Sequence, residues 1–289
     1  MPARTVRKIV GGNVQQDGAG VKLLRVLALD TVTEFDPFLM LDIFDSENSE
    51  DYIKGFPWHP HRGIETVTYL MSGKIEHGDS LGNKGIIEDG CCQWMTAGSG
   101  IIHQEMPQPS KKMFGFQLWI NIPKKDKMCI PKYHDISKES IPEVKKKGFT
   151  VRIISGHYKD IPGAFRGEYV KADILDINME KQAEWSIKTD VKSTVFVYIF
   201  RGYGYFDKNE KQCIKEKSAV LFNGGEEVRI RSGEDGMRFT IFIGNPLKEP
   251  VAWGGPIVMN TREELKKAFE EIDNGTFIKN GKYANHNLK

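Results

Sequence analysis

The sequence predicts an all-β protein built from two tandem β-barrels, with one short helix near the C-terminus. Three observations support this prediction. Short runs of β-branched and aromatic residues alternate with Gly, Asp and Asn, which is typical of strands joined by tight turns. Helical periodicity is almost absent before the C-terminal region. The chain also repeats itself in outline, which indicates two copies of one structural unit.

The strand pattern is clearest in four runs that combine aromatic and β-branched residues. These runs are Glu65–Met71, Phe114–Ile122, Val195–Phe200 and Arg238–Ile243. Many short strands with frequent turn residues favour a sandwich or barrel over a parallel α/β sheet.

The internal repeat joins two segments of each half. Tyr69–Gly73 (YLMSG) resembles Tyr198–Gly202 (YIFRG). About 40 residues further on in each half, Phe116–Pro123 resembles Phe239–Pro246. Two copies of one barrel would produce this order, and chance similarity between two β-rich halves is the alternative.

The domain limits follow from composition. The segment Pro131–Gly148 is rich in Lys, Glu, Ser and Pro and is interpreted as a linker. We therefore expect an N-terminal barrel at residues 1–133 and a C-terminal barrel with a packing helix at 134–289. The helix is predicted at Arg262–Ile272, because Thr261 and Glu264 form a capping box in front of an apolar stripe.

Bulk composition is that of an ordinary globular protein. The 289 residues carry a net charge of only +2, which argues against direct nucleic-acid binding. No apolar run approaches the ~20 residues of a membrane span, and the N-terminus lacks the apolar stretch of a secretory signal. The four cysteines are scattered without CxxC pairs, which favours buried free thiols in a reducing cytoplasm or nucleus.

Two motifs place potential metal ligands at alternate positions. The first is His59-Pro-His61-Arg-Gly-Ile-Glu65, and the second contains His103-Gln-Glu105. Residues two apart on a strand share a face, so each motif presents its imidazoles and carboxylate on one side. Neighbouring strands that face into a barrel would bring three imidazoles and a carboxylate to one point.

This donor set has a chemical preference. Imidazole and carboxylate without thiolate suit Fe(II), Mn(II), Ni(II), Cu(II) or Zn(II) and disfavour calcium. A single buried histidine is more often a hydrogen-bonded core residue, but two paired motifs of this spacing are difficult to explain in that way. The sequence therefore predicts one metal centre in the N-terminal barrel.

Longer stretches around these motifs resemble the pirin family of the cupin superfamily. The most specific are HPHRGIETVTYLMSG from His59 and QWMTAGSGIIHQEMP from Gln93, and further matches extend to Gly255–Thr261. The resemblance covers the chain from end to end. It implies two tandem cupin barrels of the jelly-roll type, with iron, Fe(2+), bound in the first barrel by His59, His61, His103 and Glu105.

The resemblance also implies two kinds of activity. Some pirins are described as enzymes that open the flavonol quercetin with dioxygen, and Glu105 or Glu65 would then accept the substrate proton. Others are described as nuclear transcriptional coregulators, which implies a Rel-type transcription factor as partner. We accordingly expect a flavonol-like substrate, a monomer, and a location in the nucleus, the cytoplasm or both.

Spacing alone leaves the carboxylate ligand open between Glu65 and Glu105. Cupins in general place this ligand a few residues after the HxH motif, where Glu65 stands. The pirin pattern takes it from the second motif and implies Glu105, with Glu65 as a supporting partner of Arg62 or of a ligand imidazole.

The remaining histidines carry no ligand pattern. His77 precedes Gly-Asp-Ser-Leu-Gly-Asn83 and is interpreted as part of a hairpin turn. The stretch from Tyr158 to Asn285 contains no histidine, and the repeat places Lys188 and Asp190 near the positions of His59 and His61. We therefore expect the second barrel to hold no metal.

Overall fold

The structure, a computed structural model, describes residues 2–206 and 213–280. Strands dominate this part of the chain, and the first half contributes the following ones: β1 (Val6–Gly11), β2 (Asn13–Asp17), β3 (Val21–Leu27), β4 (Phe38–Ser46), β5 (Phe56–His61), β6 (Ile64–Ser72), β7 (Ile75–Asp79), β8 (Lys84–Ile87), β9 (Cys92–Thr96), β10 (Ile101–Pro107), β11 (Met113–Asn121) and β12 (Lys132–Ile136). A single α-helical turn, α1 (Val32–Phe35), lies between β3 and β4.

The second half continues the same pattern. Its strands are β13 (Glu143–Lys146), β14 (Phe149–Ser155), β15 (His157–Tyr158), β16 (Ile161–Pro162), β17 (Asp173–Met179), β18 (Glu184–Lys188), β19 (Thr194–Tyr205), β20 (Cys213–Lys215), β21 (Ser218–Phe222), β22 (Glu227–Gly244), β23 (Ala252–Gly254) and β24 (Ile257–Met259). The helix α2 (Arg262–Asp273) follows β24. The all-β fold class is confirmed.

The strands form two compact units, each built on antiparallel sheets. The first barrel contains a seven-stranded sheet in the order β12-β9-β6-β11-β4-β3-β2 and a four-stranded sheet in the order β5-β10-β7-β8. The second barrel orders its strands β1-β21-β19-β22-β17-β14-β13, with β18 paired to β22 and β20 paired to β19. The order β9-β6-β11-β4-β3 in the first barrel matches the order β21-β19-β22-β17-β14 in the second. The repeated segments also correspond, since Tyr69 lies on β6 and Tyr198 on β19, so the predicted repeat is confirmed for these central strands.

The units differ from the predicted domain limits at both ends of the chain. Among the described residues, the first barrel comprises 13–32, 38–138 and 247–280, and the second comprises 2–12, 33–37, 139–206 and 213–246. The strand β1 pairs with β21 and so belongs to the second barrel. The C-terminal segment, from residue 247 onward, returns to the first barrel, where Ile257 bridges to Arg62. The limits 1–133 and 134–289 therefore place the N-terminal strand and the C-terminal segment in the wrong barrels. Only the long-range strand pairing shows where these two segments belong.

The predicted linker is also structured. Its first part forms β12, which pairs with β9 of the first barrel. Its last part forms β13, which pairs with β14 of the second barrel. Polar composition here marks edge strands, which keep one side exposed to solvent, rather than an unstructured connection.

The C-terminal helix is confirmed within one residue. Thr261 accepts a hydrogen bond from the Glu264 backbone N–H, and the Glu264 carboxylate accepts from the Thr261 N–H, which completes the capping box. The helix buries Ala268 in a cluster with Ile257 and Phe277. It is therefore a packing element of the first barrel, not of the second.

Neither helix of the described residues is long and apolar enough to cross a membrane. All four cysteines are free, and their burial varies: Cys92 is buried, Cys91 and Cys129 are half-buried, and Cys213 is exposed. The expectation that the thiols are buried is thus wrong for Cys213.

Candidate metal centre

Antiparallel pairing of β5 and β10 brings the two histidine motifs together. His59 lies directly opposite His103 in this ladder, and His61 lies opposite Ile101. The strand β5 lies at the edge of its sheet. Pro60 has no backbone N–H to donate, and an edge strand tolerates this because one of its sides has no neighbouring strand. The local sequence therefore dictates both the edge position and the alternation that turns two imidazoles the same way.

The three imidazoles form one compact group. One ring nitrogen from each of His59, His61 and His103 lies within 4.8 Å of the others. The rings of His59 and His103 are 4.3 Å apart between centroids, and those of His61 and His103 are 4.9 Å apart. The predicted convergence of these three residues is confirmed.

Backbone carbonyls fix the tautomers of two of these rings. The Nδ1 of His59 lies 2.8 Å from the Pro57 carbonyl oxygen, and the Nδ1 of His61 lies 3.0 Å from that of Pro256. A carbonyl only accepts, so each Nδ1 carries the proton and each Nε2 keeps a lone pair. The two Nε2 atoms are 3.1 Å apart. Two lone pairs that face each other at this distance suit a shared cation, and such backbone partners typically orient metal-ligating histidines.

The surroundings of His103 also indicate whether these imidazoles suit a metal ion. Its side chain is fully buried, and neither ring nitrogen has a hydrogen-bond partner among the described residues. Buried nitrogens without partners are costly, about 1–3 kcal/mol each. Burial, together with the neighbouring imidazoles, lowers the pKa of His103 well below its usual value, so the ring is neutral at neutral pH. Neutral imidazoles with free lone pairs fit a divalent transition metal.

Glu105 lies on β10, two residues beyond His103, but its carboxylate is not part of the compact imidazole group. The Gln117 amide donates to both of its oxygens at 3.0 and 2.7 Å, and the Thr68 hydroxyl donates at 3.2 Å. The carboxylate is close enough to act on His59: burial lowers the pKa of His59, and Glu105 partly opposes that shift. Its assignment as fourth ligand stays a prediction.

Glu65 occupies a different position. It lies on β6 in the seven-stranded sheet, is 1% exposed, and accepts a hydrogen bond from the Thr96 hydroxyl at 2.8 Å. The ladder with β9 sets Glu65 directly opposite Thr96, which explains the contact. Both predicted acids are therefore buried in the first barrel, and both are held by side-chain donors.

A cavity of about 690 Å³ opens beside His59 and His61. Its aromatic lining consists of Phe56, Trp58, Trp119 and Trp253. The Trp119 ring stands edge-on to His61 with centroids 4.9 Å apart and lies 5.7 Å from the Trp253 ring. A volume of this size suits one small organic molecule, and the aromatic walls suit a planar one.

The same cavity has a polar side. Arg25 donates to both carboxylate oxygens of Asp42 at 2.8 and 2.7 Å and to Asp17 at 2.6 Å. Burial raises the pKa of Asp42, and the Arg25 guanidinium only partly opposes this effect. The cavity thus offers charged hydrogen-bonding groups apart from the imidazoles.

Sequence reasoning missed the contribution of the C-terminal segment. Pro256 supplies the carbonyl that holds His61, and Val258 donates its N–H to the Arg62 carbonyl oxygen. Gly63 has a backbone φ of +78°. It also lies so close to this segment that an added Cβ would be 1.9 Å from the Val258 carbonyl oxygen. A side chain at position 63 would clash with this backbone, so the HxHRG motif needs glycine there. That glycine is the one feature of the motif that indicates a backbone segment packed against it.

Gln117 and His77 were also missed as residues of the site. Gln117 lies on β11 opposite Thr68 of β6, which aims its amide at Glu105. His77 lies on β7, fully buried, with its ring 5.4 Å from that of His103 and its Nε2 3.1 Å from Asp79. The predicted turn is real but begins only after Asp79, so the interpretation of His77 itself as a turn residue is wrong.

The corresponding strands of the second barrel are apolar inside. Val228 of β22 pairs with Ile187 of β18, and Ile230 pairs with Trp185, all in the buried core cluster. Lys188, which the repeat placed near the position of His59, is exposed. These paired positions thus hold apolar side chains where the first barrel holds imidazoles, and the expectation of a metal-free second barrel stays a prediction.

Comparison with known proteins matches both halves of the chain. Residues 20–120 match the Pirin family model, and residues 174–278 match the model of the pirin C-terminal cupin domain. A pirin-like protein of Caulobacter vibrioides is 40% identical over 96% of this chain and 100% of its own length. A Pseudomonas aeruginosa protein named "Putative quercetin 2,3-dioxygenase" is 38% identical over 94% of this chain and 97% of its own length.

A solved structure agrees over nearly the whole fold. The crystal structure of quercetin 2,3-dioxygenase from Acinetobacter baumannii superposes with a TM-score of 0.86 at 29% identity, covering 95% of this chain and 98% of that one. Two family models that together span most of the chain, a relative at 40% identity and this shared fold agree with the two-barrel topology. The chain is a two-cupin protein and belongs to the pirin family.

Proposed function

We propose that this protein is a flavonol dioxygenase of the quercetin 2,3-dioxygenase type that uses one ferrous ion in its first barrel. The observation that carries the proposal is the convergence of three neutral imidazoles beside an aromatic-lined cavity of about 690 Å³. The names of the Pseudomonas and Acinetobacter relatives support the same substrate class.

His59, His61 and His103 would hold the ion, with Glu105 as the fourth ligand. Once bound, it would supply Lewis-acid chemistry toward the substrate oxygens and dioxygen. Glu105 is the better candidate than Glu65 because it lies on β10 two residues from His103, whereas Glu65 lies on the seven-stranded sheet opposite Thr96. Other divalent transition metals suit the same donors, so iron is the part of this assignment that rests on family resemblance.

The cavity walls bind and orient the substrate. Trp119 and Trp253 offer ring faces and edges to a planar flavonol, and the apolar lining excludes water from it. The Asp42–Arg25 pair offers acceptors and donors for phenolic hydroxyls on the polar side. Wall contacts of these two kinds favour a flat ring system that carries hydroxyl groups.

A carboxylate accepts the proton of the flavonol 3-hydroxyl. Glu105 suits this role because it lies on β10 two residues from His103, and because Gln117 and Thr68 hold its carboxylate in place. Glu65 is the alternative base, held by Thr96.

The proposal is tested by following the loss of quercetin absorbance in air with iron-loaded protein. Turnover well above that of free iron is expected, and a His103→Ala variant should lose it. Absence of turnover with the loaded protein would refute the proposal, as would unchanged turnover in that variant. The Rel-type partner, the monomeric state and the nuclear or cytoplasmic location stay predictions of the sequence.

A further inference from the structure

A second cavity, of about 800 Å³, opens in the second barrel. It is lined by strands β18 and β22, by the β15 region and by the N-terminal segment before β1. The described residues of its lining include no histidine or cysteine, so they cannot repeat the donor set of the first barrel. Its volume lies within the usual range for small-molecule sites.

One wall of this cavity is aromatic. Tyr158 and Trp185 are stacked with an interplanar angle of 10° and centroids 6.3 Å apart, and Phe149, Tyr205 and Phe206 complete the aromatic lining. The Trp185 side chain is 2% exposed. Among the described residues, its indole N–H has no acceptor at hydrogen-bond geometry, and the Tyr158 hydroxyl is its polar neighbour. A buried donor without an acceptor at the cavity wall is available to a ligand oxygen.

Positive charge exceeds negative charge around the same space. The lining contains four cationic side chains, from Arg4, Lys159, Arg229 and Arg231, against the two carboxylates of Glu184 and Glu227, which leaves a formal +2.

Two of these cations lack a carboxylate at ion-pair distance within the described residues. The buried Arg4 guanidinium donates to the Thr189 hydroxyl and to backbone carbonyls of Asp190, Ser193 and Asn223, all neutral acceptors. Lys159 is exposed, and its ammonium lies 5.7 Å from the centre of the Tyr158 ring. By contrast, Arg229 is already paired with Glu227 at 2.6 Å.

We propose that this cavity binds a small organic anion with a planar aromatic ring, an aromatic carboxylate. The ring packs against the Tyr158–Trp185 wall, and the carboxylate takes hydrogen bonds from the Trp185 indole N–H and the Lys159 ammonium. A neutral planar ligand would offer no charge to the Lys159 ammonium, and an aliphatic anion would leave the aromatic wall unused. This site is independent of the function proposed for the first barrel.

Calorimetric titration of the full-length, metal-loaded protein with 4-hydroxycinnamate tests the proposal. The uncharged methyl ester of the same acid isolates the role of the carboxylate. Lys159→Gln removes the exposed charge, Trp185→Phe keeps the ring but removes the N–H, and Lys192→Gln serves as a matched exposed lysine of the same barrel outside the cavity. His103→Ala reports any binding at the metal centre.

The anion should bind, and the ester should bind roughly tenfold more weakly. Lys159→Gln and Trp185→Phe should each weaken anion binding roughly fivefold, since each removes one charge-assisted hydrogen bond. Lys192→Gln and His103→Ala should leave it within twofold. The proposal is overturned if millimolar anion does not bind, if the ester binds equally well, or if His103→Ala abolishes binding while Lys159→Gln does not.

Discussion

The guanidinium of Arg62 lies 2.8 Å from the carboxylate of Glu271 and ties the histidine motif to the C-terminal helix. Arg62 is 2% exposed, and its guanidinium also stacks on the Phe277 ring at 4.2 Å and donates to the Phe277 carbonyl oxygen. Because Arg62 is adjacent to His61, this anchor holds the segment whose Pro256 carbonyl orients the His61 ring. We therefore expect the imidazole group of the first barrel to depend on a helix that contributes none of its side chains.

Replacing Glu271 with Gln should weaken both the fold and the metal centre. The change leaves a buried guanidinium without its charge partner, so the free energy of unfolding should fall by about 2 kcal/mol. Cobalt(II) affinity, followed by visible absorption, should fall roughly tenfold, the size of effect seen when an outer partner of a ligand is lost.

Glu270→Gln is the matched control for this change. Glu270 directly precedes Glu271 in the same helix and is solvent-exposed. Among the described residues its carboxylate pairs only with Lys266. Its loss should alter stability by less than about 0.5 kcal/mol. Equal cobalt affinity in the two variants would show that the anchor does not act on the metal centre.

His103→Leu should raise the stability of the metal-free protein while abolishing metal binding. The leucine removes two buried nitrogens without hydrogen-bond partners and fills similar space, for a gain of about 1–2 kcal/mol in urea unfolding. His61→Leu is the contrasting variant. It leaves the Pro256 carbonyl oxygen without its hydrogen bond and should destabilise the metal-free protein by about 1 kcal/mol. A loss of stability in metal-free His103→Leu would contradict this account of the site.

Conservative amide variants should separate the two candidate carboxylates. Glu105→Gln should weaken iron(II) affinity by roughly 10–100-fold if Glu105 is the fourth ligand. Glu65→Gln should leave that affinity within a few-fold, because Glu65 lies on the seven-stranded sheet beside Thr96. Competition with a chromogenic chelator measures both. The reverse order of effects would transfer the ligand role to Glu65.

Lys127 should make stability rise with pH in the alkaline range. Burial lowers its pKa to about 7, and its ammonium donates to the Gly63 carbonyl oxygen and to Asn121. Between pH 7 and the ordinary lysine value of 10.5, the unfolded chain binds a proton that the folded chain does not. The free energy of unfolding should therefore increase by about 2–3 kcal/mol from pH 7.5 to 9.5.

Urea unfolding of Lys127→Met at the two pH values checks this slope. The variant should lose most of the rise, whatever its absolute stability. Lys125→Met, which changes an exposed lysine two residues away, should keep the rise. A slope in Lys127→Met equal to that of the unaltered protein would exclude Lys127 as its source.

Local patterns predicted the strands and the imidazole group well, and long-range pairing explains what they missed. The run Glu65–Met71 became β6 (Ile64–Ser72), and Phe114–Ile122 became β11 (Met113–Asn121), because alternation and β-branching act within a few residues. The polar segment Pro131–Gly148 was misread because edge strands tolerate the same residues as loops. His77 was misread because turn residues follow it while its own side chain is buried.

The sequence by itself determined the fold class, the repeat and the convergence of His59, His61 and His103, because each depends on alternation along a strand and on motifs of fixed spacing. Only the tertiary structure decided that the chain ends exchange between barrels, that the Pro256 carbonyl orients His61, and that Gln117 holds Glu105. The contact between His61 and Pro256 alone joins residues 195 positions apart. No local pattern encodes such partners, because which strand lies beside which is set by the packing of the whole barrel.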